Sequence, residues 1–120
     1  MGEIESISAV TLATRNMAKS VKFYRTLGFK LRYGGEEASF TSFMFGSNYI
    51  NLTLQTALIH AGWGRVIFYV GEVDRFYESA KAQGLQPDFE PRDAAWGERY
   101  FHITDPDGHE LSFAKRIRNV

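Results

Sequence analysis

Cysteine is absent from this chain of 120 residues, which also has three prolines, no basic run and no long apolar segment. Without cysteine the chain has no disulfide, no thiolate zinc site and no cysteine nucleophile. Lysine plus arginine equals aspartate plus glutamate at 14 each, so no charge excess favours a nucleic-acid partner. No segment reaches the ~20 apolar residues of a membrane span. Residues 1–6, which are acidic and polar, are unlike a signal peptide, and we expect a cytoplasmic protein with no membrane partner.

Aromatic residues, in contrast, are plentiful. The sequence contains ten Phe, six Tyr and two Trp, together 15% of the chain. A chain of this length is expected to form one domain, residues 1–120, that buries roughly two thirds of the surface its unfolded form exposes. Because so many rings exceed the needs of a small core, we expect some of them to line a binding pocket.

The chain contains an internal repeat. A strand from Ala9 leads into a helix that ends at Gly28, and a strand from Arg65 leads into a helix that ends at Gly84. Apolar residues recur at helical spacing in both helices, and glycine suits the left-handed position that ends a helix. Asn16 is the expected N-cap of the first helix.

Short strand-like runs follow each helix. They are residues 29–33, 40–45 and 49–54 in a first module of about 7–55, and residues near 86–89, 99–103 and 110–114 in a second module of about 65–115. The pattern predicts an α+β fold: two tandem βαβββ modules forming a curved mixed sheet around a concave cavity, with helices on the outer face. Residues 90–97 are expected to form the longest loop of the second module.

The last two strands are expected to form a hairpin around a tight turn, residues 105–108. Its Asp-Pro-Asp-Gly sequence combines a side chain that bonds its own backbone, a preset φ and a glycine free to take positive φ. The turn fixes the register, and alternation then directs Leu111 and Phe113 towards the helix. Glu110 and Ser112 are left on the concave face, as are Asn51 and Thr53 in the first module.

Three segments resemble the vicinal oxygen chelate superfamily, which includes glyoxalases, extradiol dioxygenases, fosfomycin-modifying enzymes and bleomycin resistance proteins. Residues 23–29 resemble its helix-to-strand signature, and residues 105–108 its final hairpin. Residues 96–101, Trp-Gly-Glu-Arg-Tyr-Phe, are most similar to the bleomycin-resistance branch. The resemblance covers about residues 7 to 115 and implies the fold described above.

The resemblance also implies where a metal would be bound, because the superfamily's metalloenzymes draw ligands from four equivalent positions. In this chain those positions hold Ala9, Asn51, Arg65 and Ser112. Alanine has no donor atom, arginine is a fixed cation without a free lone pair, and asparagine and serine are weak ligands. We therefore expect no metal and no other cofactor.

The sequence predicts a metal-free protein that sequesters a small organic molecule in an aromatic-lined groove, as bleomycin resistance proteins do. The resemblance implies a homodimer. The alternatives are a metal-dependent glyoxalase-like or dioxygenase-like enzyme, and a metal-free enzyme that uses Glu110 or His102 as an acid or base. The candidate ligand-binding residues are Tyr49, Asn51, Arg65, Glu110, Ser112, Phe45, Phe68, Trp96 and Phe101.

Several of these residues have simpler structural interpretations. Glu110 can pair with Arg99 or His102 instead of facing a ligand. Arg65 either points inward, where it favours an anionic ligand or an internal Glu, or lies in solvent at the sheet edge. Arg99 can also bridge to Asp105. Trp63, between two glycines, is expected to plug the domain edge, with a dimer contact and a pocket lid as alternatives.

Overall fold

The computed structural model describes residues 2–118, which divide into one compact unit that ends at Ile59 and a second that begins at His60. The first unit contains β1 (Val10–Thr14), α1 (Met17–Thr26), β2 (Lys30–Tyr33), β3 (Phe40–Phe45) and β4 (Asn48–Leu54). The second contains β5 (Arg65–Tyr69), α2 (Val73–Ala82), β6 (Arg92–Asp93), β7 (Glu98–Thr104) and β8 (Glu110–Arg116). The predicted α+β class and βαβββ order are confirmed.

Each unit contains one mixed four-stranded sheet, and the two sheets have the same topology. Their strand orders are β1-β4-β3-β2 and β5-β8-β7-β6. In each sheet the first pair is parallel and the other two pairs are antiparallel. The repeat read from the sequence is therefore a repeat of topology as well as of residue pattern.

The helix boundaries follow local chemistry. The Asn16 side chain accepts a hydrogen bond from the Lys19 backbone N–H at 3.0 Å, which confirms the predicted N-cap. Gly28 and Gly84 follow the two helices with φ of 103° and 91°, a region that L side chains rarely adopt. Neither helix is long and apolar enough to cross a membrane within residues 2–118.

Aromatic side chains fill the space between each helix and its sheet. In the first unit Tyr24 of α1 is fully buried and contacts Phe29 and Phe43. In the second unit, Phe113 stacks on a ring of α2, Phe76, at 4.5 Å. Much of the aromatic content therefore stabilises two helix–sheet cores.

Three predicted ligand contacts belong to these cores, which corrects the sequence interpretation. Phe101 is fully buried against Tyr77 of α2, and Phe68 stacks on Phe113 at 5.2 Å. Phe45 contacts Phe29 at 5.3 Å, on the side of the first sheet that α1 covers. Alternation along a strand directs these residues to the helix side, away from Asn51 or Ser112.

The second unit also departs from the predicted strand boundaries. Residues 86–89 form a single bridge, Pro87 to Ile103, where a strand was expected. Proline has no N–H to donate, so it cannot extend a regular ladder. The next strand, β6, lies at Arg92 and Asp93, inside the segment predicted as a loop.

The turn between β7 and β8 has the predicted geometry. Asp105 Oδ1 accepts the backbone N–H groups of Asp107 and His109, each at 2.9 Å. Gly108 adopts φ of 94°. The turn thus holds the two longest strands of this unit in a register of seven consecutive pairs, from Glu98 with Arg116 to Thr104 with Glu110.

Candidate functional site

Register and alternation define one face of the second sheet that does not pack on α2. In the parallel pair, Arg65 lies opposite Glu110 and Ile67 lies opposite Ser112. In the antiparallel pair, His102 lies opposite Ser112. We call this side the aromatic face and define it by these side chains together with Tyr69, Phe89, Arg92, Trp96, Glu98, Tyr100 and Arg116.

Four rings lie side by side on the aromatic face. The ring centroids of Trp96 and Tyr100 are 5.6 Å apart, and those of Tyr100 and His102 are 5.3 Å apart. Phe89 contacts both Tyr100 at 5.7 Å and His102 at 4.9 Å. Trp96 remains 57% exposed and Tyr69 60% exposed, so much of this aromatic surface is available to a ligand.

A single carboxylate holds the exposed end of this row. Glu98 accepts a hydrogen bond from Trp96 Nε1 at 3.0 Å and another from the Tyr69 hydroxyl. Arg116 donates to the same hydroxyl at 3.4 Å, and this bond raises the pKa of Arg116. Because the indole N–H is already hydrogen-bonded, the Trp96 side chain loses little further conformational entropy when a planar molecule stacks on it.

A charged cluster occupies the other end of the row. Arg65 Nε donates to Glu110 Oε1, and His102 Nδ1 lies 3.3 Å from the same oxygen. Burial lowers the pKa of His102, and the Glu110 charge opposes that shift. The predicted pairing of Glu110 with His102 is confirmed. Arg65 lies in an edge strand with its side chain 47% exposed, as the solvent interpretation expected, yet it also has a carboxylate partner.

Arg99 lies on the opposite side of the sheet, and the predicted bonds to Glu110 and Asp105 are wrong. Its guanidinium binds Asp74 of α2 at 3.1 Å and Asp93 of β6 at 3.0 Å. The two carboxylates raise the pKa of Arg99. Because odd-numbered residues of β7 face α2, the Arg99 side chain binds the helix and does not lie on the ligand side of the sheet.

The equivalent face of the first sheet carries a different set of side chains. Asn51 lies opposite both Thr11 and Ser42, and its side-chain amide donates to Thr11 Oγ1 at 3.2 Å. The hydroxyl of Ser42 is buried without a hydrogen-bond partner among residues 2–118. Tyr49 lies under the Arg32 guanidinium at 4.5 Å. This face offers amide and hydroxyl groups together with the ring of Tyr49, and by the same alternation it carries Phe40, whose ring lies 6.4 Å from that of Tyr33.

The four positions that the superfamily resemblance assigns to metal ligands do not suit a metal. Asn51 pairs with Thr11 just as Ser112 pairs with Ile67, so the two modules match at these positions. Ala9 directly precedes β1 and has no donor atom, while Arg65 is committed to Glu110 as a cation. Across residues 2–118, no three His, Asp or Glu side chains converge as metal ligands would.

Sequence reasoning missed Tyr100, Phe89 and Arg92 as members of this surface. Tyr100 could have been found, because it lies two residues from His102 and two-residue alternation places both on the face of Ser112. Phe89 and Arg92 belong to an irregular segment whose direction no periodicity reveals. The Arg92 guanidinium lies 3.8 Å from the centroid of the Phe89 ring.

A separate groove of about 790 Å³ lies in the first unit, between α1 and the segment after β2. Its lining combines apolar residues, among them Val21 and Leu31, with the charged residues Arg25, Glu36 and Glu37. Glu36 also pairs with Lys22 at 3.6 Å. Mixed charges and the absence of an aromatic residue from its lining make this groove a weaker candidate for a flat organic ligand.

Comparison with known proteins places this geometry in context. A family model described as "Glyoxalase/Bleomycin resistance protein/Dioxygenase superfamily" matches residues 6–113. An uncharacterized protein of Mycolicibacterium smegmatis is 32% identical over 114 residues, which are 93% of this chain and 95% of that protein.

Solved structures with the same fold include proteins of different names. The bleomycin resistance determinant encoded on the transposon Tn5 aligns with a TM-score of 0.78 at 21% identity, covering 93% of this chain and 98% of that one. A lactoylglutathione lyase from Agrobacterium tumefaciens aligns with a TM-score of 0.77 at 18% identity, covering 95% and 96%. The backbone of this chain is thus about as similar to that of a resistance determinant as to that of a lyase. At these sequence identities the similarity shows the fold alone.

Proposed function

Because this chain belongs to the glyoxalase/bleomycin resistance protein/dioxygenase superfamily, whose fold binds small molecules, we propose that it sequesters a flat organic ligand on the aromatic face. The observation that carries this proposal is the row of Trp96, Tyr100 and His102, in which Trp96 is 57% exposed and its indole is held by Glu98. Stacked rings favour planar ligands, and the fixed indole reduces the entropy lost on binding. The function is binding without chemical conversion.

The side chains at the superfamily's metal positions support a metal-free mode of action. Arg65 places a fixed positive charge at one of them, and that charge would repel a divalent cation. Ala9, at a second of these positions, has no side-chain atom that could bind a metal. Asn51, at a third, already donates a hydrogen bond from its side-chain amide to Thr11. No step of the proposed function uses a metal.

Metal analysis and a ligand screen test the proposal together. Protein purified without chelator should contain far less than one equivalent of nickel, zinc, iron or manganese. A thermal-shift screen of metabolites, antibiotics and a bleomycin-type glycopeptide should identify stabilising ligands, because a molecule that binds only the folded state raises the Tm. Stabilisation should disappear in Trp96→Ala and persist in Trp63→Ala, the matched change of the other tryptophan.

Two results would overturn different parts of this proposal. One equivalent of tightly bound metal, lost together with turnover on chelation, would replace it with the metalloenzyme alternative. Equal stabilisation of Trp96→Ala and the parent protein would remove the ligand from the aromatic face. Failure of the bleomycin-type glycopeptide alone would exclude that drug class and antibiotic resistance of that kind, while leaving ligand binding intact.

One specific observation favours a second candidate, a metal-free enzyme. His102 Nδ1 lies 3.3 Å from Glu110, an arrangement that can orient an imidazole so that its other nitrogen accepts a proton. Incubation of each stabilising ligand with the protein, followed by mass spectrometry, distinguishes the two functions. Sequestration leaves the ligand unchanged, whereas catalysis consumes it and His102→Gln prevents the loss.

The remaining expectations concern assembly and location. We place the protein in the cytoplasm as a homodimer, since the superfamily's members often form dimers. Light scattering coupled to size-exclusion chromatography should give twice the 13.7 kDa chain mass. A mass of one chain at concentrations well above those of the ligand assays would contradict the dimer without affecting ligand binding.

A further inference from the structure

The two carboxylates of the aromatic face, Glu98 and Glu110, already accept hydrogen bonds from side chains of the protein. Glu98 accepts hydrogen bonds from Trp96 and Tyr69. Glu110 is paired with Arg65. A positively charged ligand would have to displace one of these bonds, so neither carboxylate is a ready partner for a cation.

Unlike Glu98 and Glu110, which have partners of their own, Arg92 has no acidic partner for its charge within residues 2–118. None of the ion pairs in this part of the chain includes it, and its guanidinium lies over the Phe89 ring at 3.8 Å. In the β6–β7 pairing Arg92 lies directly opposite Tyr100. A guanidinium held over a ring keeps N–H groups at its edge, in a geometry that matches a carboxylate.

Two acidic residues shortly precede Arg92, Asp88 and Glu90, and neither forms an ion pair with it within residues 2–118. Asp88 accepts hydrogen bonds from Thr104 Oγ1 at 2.9 and 3.1 Å, and both residues are exposed. Arg92, beside Phe89 and Tyr100, therefore keeps a positive charge that no ion pair within residues 2–118 neutralises.

We propose that the ligand of the aromatic face is a planar aromatic anion, whose ring stacks on Trp96 and Tyr100 while its carboxylate binds Arg92. This inference rests on the proposed function and specifies its ligand class. The Trp96 and Tyr100 rings are in contact, with centroids 5.6 Å apart and planes 33° from parallel, so one planar molecule stacked on Trp96 lies close to Tyr100 as well. The carboxylate supplies the partner that Arg92 lacks.

Three probes with the same ring and different charges test the inference: 2-naphthoate, 2-naphthamide and 2-naphthylmethylammonium. The chain contains two tryptophans, so a ¹⁵N spectrum shows two indole N–H signals. The Trp96 signal should move on titration. The Trp63 signal should stay, because that indole donates to His109 beside the β7–β8 turn, at the far end of β7. We expect 2-naphthoate to bind about tenfold tighter than the amide, and the ammonium to bind weakest.

Substitutions of Arg92 separate the contribution of its charge to binding from the contribution of ring stacking on Trp96 and Tyr100. Arg92→Gln should reduce the preference for naphthoate over naphthamide to less than about twofold, while leaving naphthamide binding unchanged. Arg92→Lys should retain part of the preference, since lysine keeps the charge and loses the planar fork. Arg75→Gln, an exposed arginine of α2 on the other side of the sheet, is the matched control and should behave as the parent protein.

Each contrary result has a distinct meaning. Equal affinity for naphthoate and naphthamide, or a preference that survives Arg92→Gln, would overturn the anion assignment and leave sequestration on the aromatic face standing. No movement of the Trp96 signal with any of the three probes would also overturn it. The proposed function would fall as well only if the wider ligand screen gave no stabilisation that depends on Trp96.

Discussion

Arg65 and Glu110 lie opposite each other in the parallel β5–β8 pair, and the guanidinium of one donates to the carboxylate of the other. His102 shares the same carboxylate oxygen, with its Nδ1 at 3.3 Å. The pair is half-exposed, so it contributes little to stability, about 0–1 kcal/mol. Its larger effect is on the charge of the neighbouring imidazole, which lies within the aromatic row.

Neutralising the two partners separately should move the pKa of His102 in opposite directions. Glu110 raises this pKa and Arg65 lowers it. Glu110→Gln should therefore lower the pKa of His102, and Arg65→Gln should raise it. The ¹H signals of the imidazole, followed by NMR between pH 4 and 8, give both values directly.

Shifts of His102 in the same direction in both variants would mean that altered burial, and not the two charges, controls its protonation.

The lowered pKa of His102 also predicts how stability depends on pH. Burial makes protonation less favourable in the folded protein than in the unfolded chain, where the ordinary pKa is 6.5. The unfolded chain then binds more protons below that value, so stability is fully present above pH 6.5 and declines as the pH falls through the folded pKa. Urea denaturation at pH 7.5 and 5.0 should show a smaller decline for His102→Gln than for the parent protein. An equal decline would assign the pH dependence to other groups.

Much of the fold could be predicted because local signals and topology agree. Asn16 and Gly28 enclose the first helix, and the Asp105 turn fixes a register that two-residue alternation extends along both strands. The errors occur where local signals are weak. Pro87 interrupts a run that looked like a strand, and the two-residue strand at Arg92 has no pattern of its own.

The candidate site could be predicted only in part, for a related reason. Alternation from Ser112 correctly separates Glu110 from Phe113, but the prediction of Phe68 and Phe101 as ligand contacts rests on residue type and not on the face that they occupy. Phe68 and Phe101 therefore entered the predicted site although they share the register of Phe113. Side-chain partners such as Glu98 for Trp96 depend on packing distances that no sequence spacing encodes.

Core and surface aromatics should respond differently to truncation. Phe101→Ala removes a fully buried ring from the α2 core and should lower the free energy of unfolding by about 3–5 kcal/mol. Trp96→Ala removes a ring that is 57% exposed, so it should cost about 1 kcal/mol or less while abolishing ligand stabilisation. Urea denaturation and the thermal-shift assay measure the two effects. Comparable losses of stability would mean that Trp96 is a structural residue.

The segment before β5 packs on the β7–β8 turn, and two glycines allow this contact to be tested. A Cβ at Gly108 would lie 3.2 Å from the Ala61 Cβ, whereas a Cβ at Gly84 would meet nothing within 4 Å. Both glycines have similar positive φ, 94° and 91°. Gly84→Ala should therefore cost about 1–2 kcal/mol from backbone strain alone, and Gly108→Ala should cost measurably more.

The double variant Gly108→Ala with Ala61→Gly should return to the cost of Gly84→Ala, because it removes the contact and keeps the strain. The Trp63 hydrogen bond to His109, at 2.9 Å, holds the segment against the turn, so Ala61 cannot simply move away. Urea denaturation of the four proteins measures these differences. Equal costs for the two single glycine variants would show that residues 61–64 yield to the added methyl group, and that the turn alone, without this segment, maintains the register of β7 and β8.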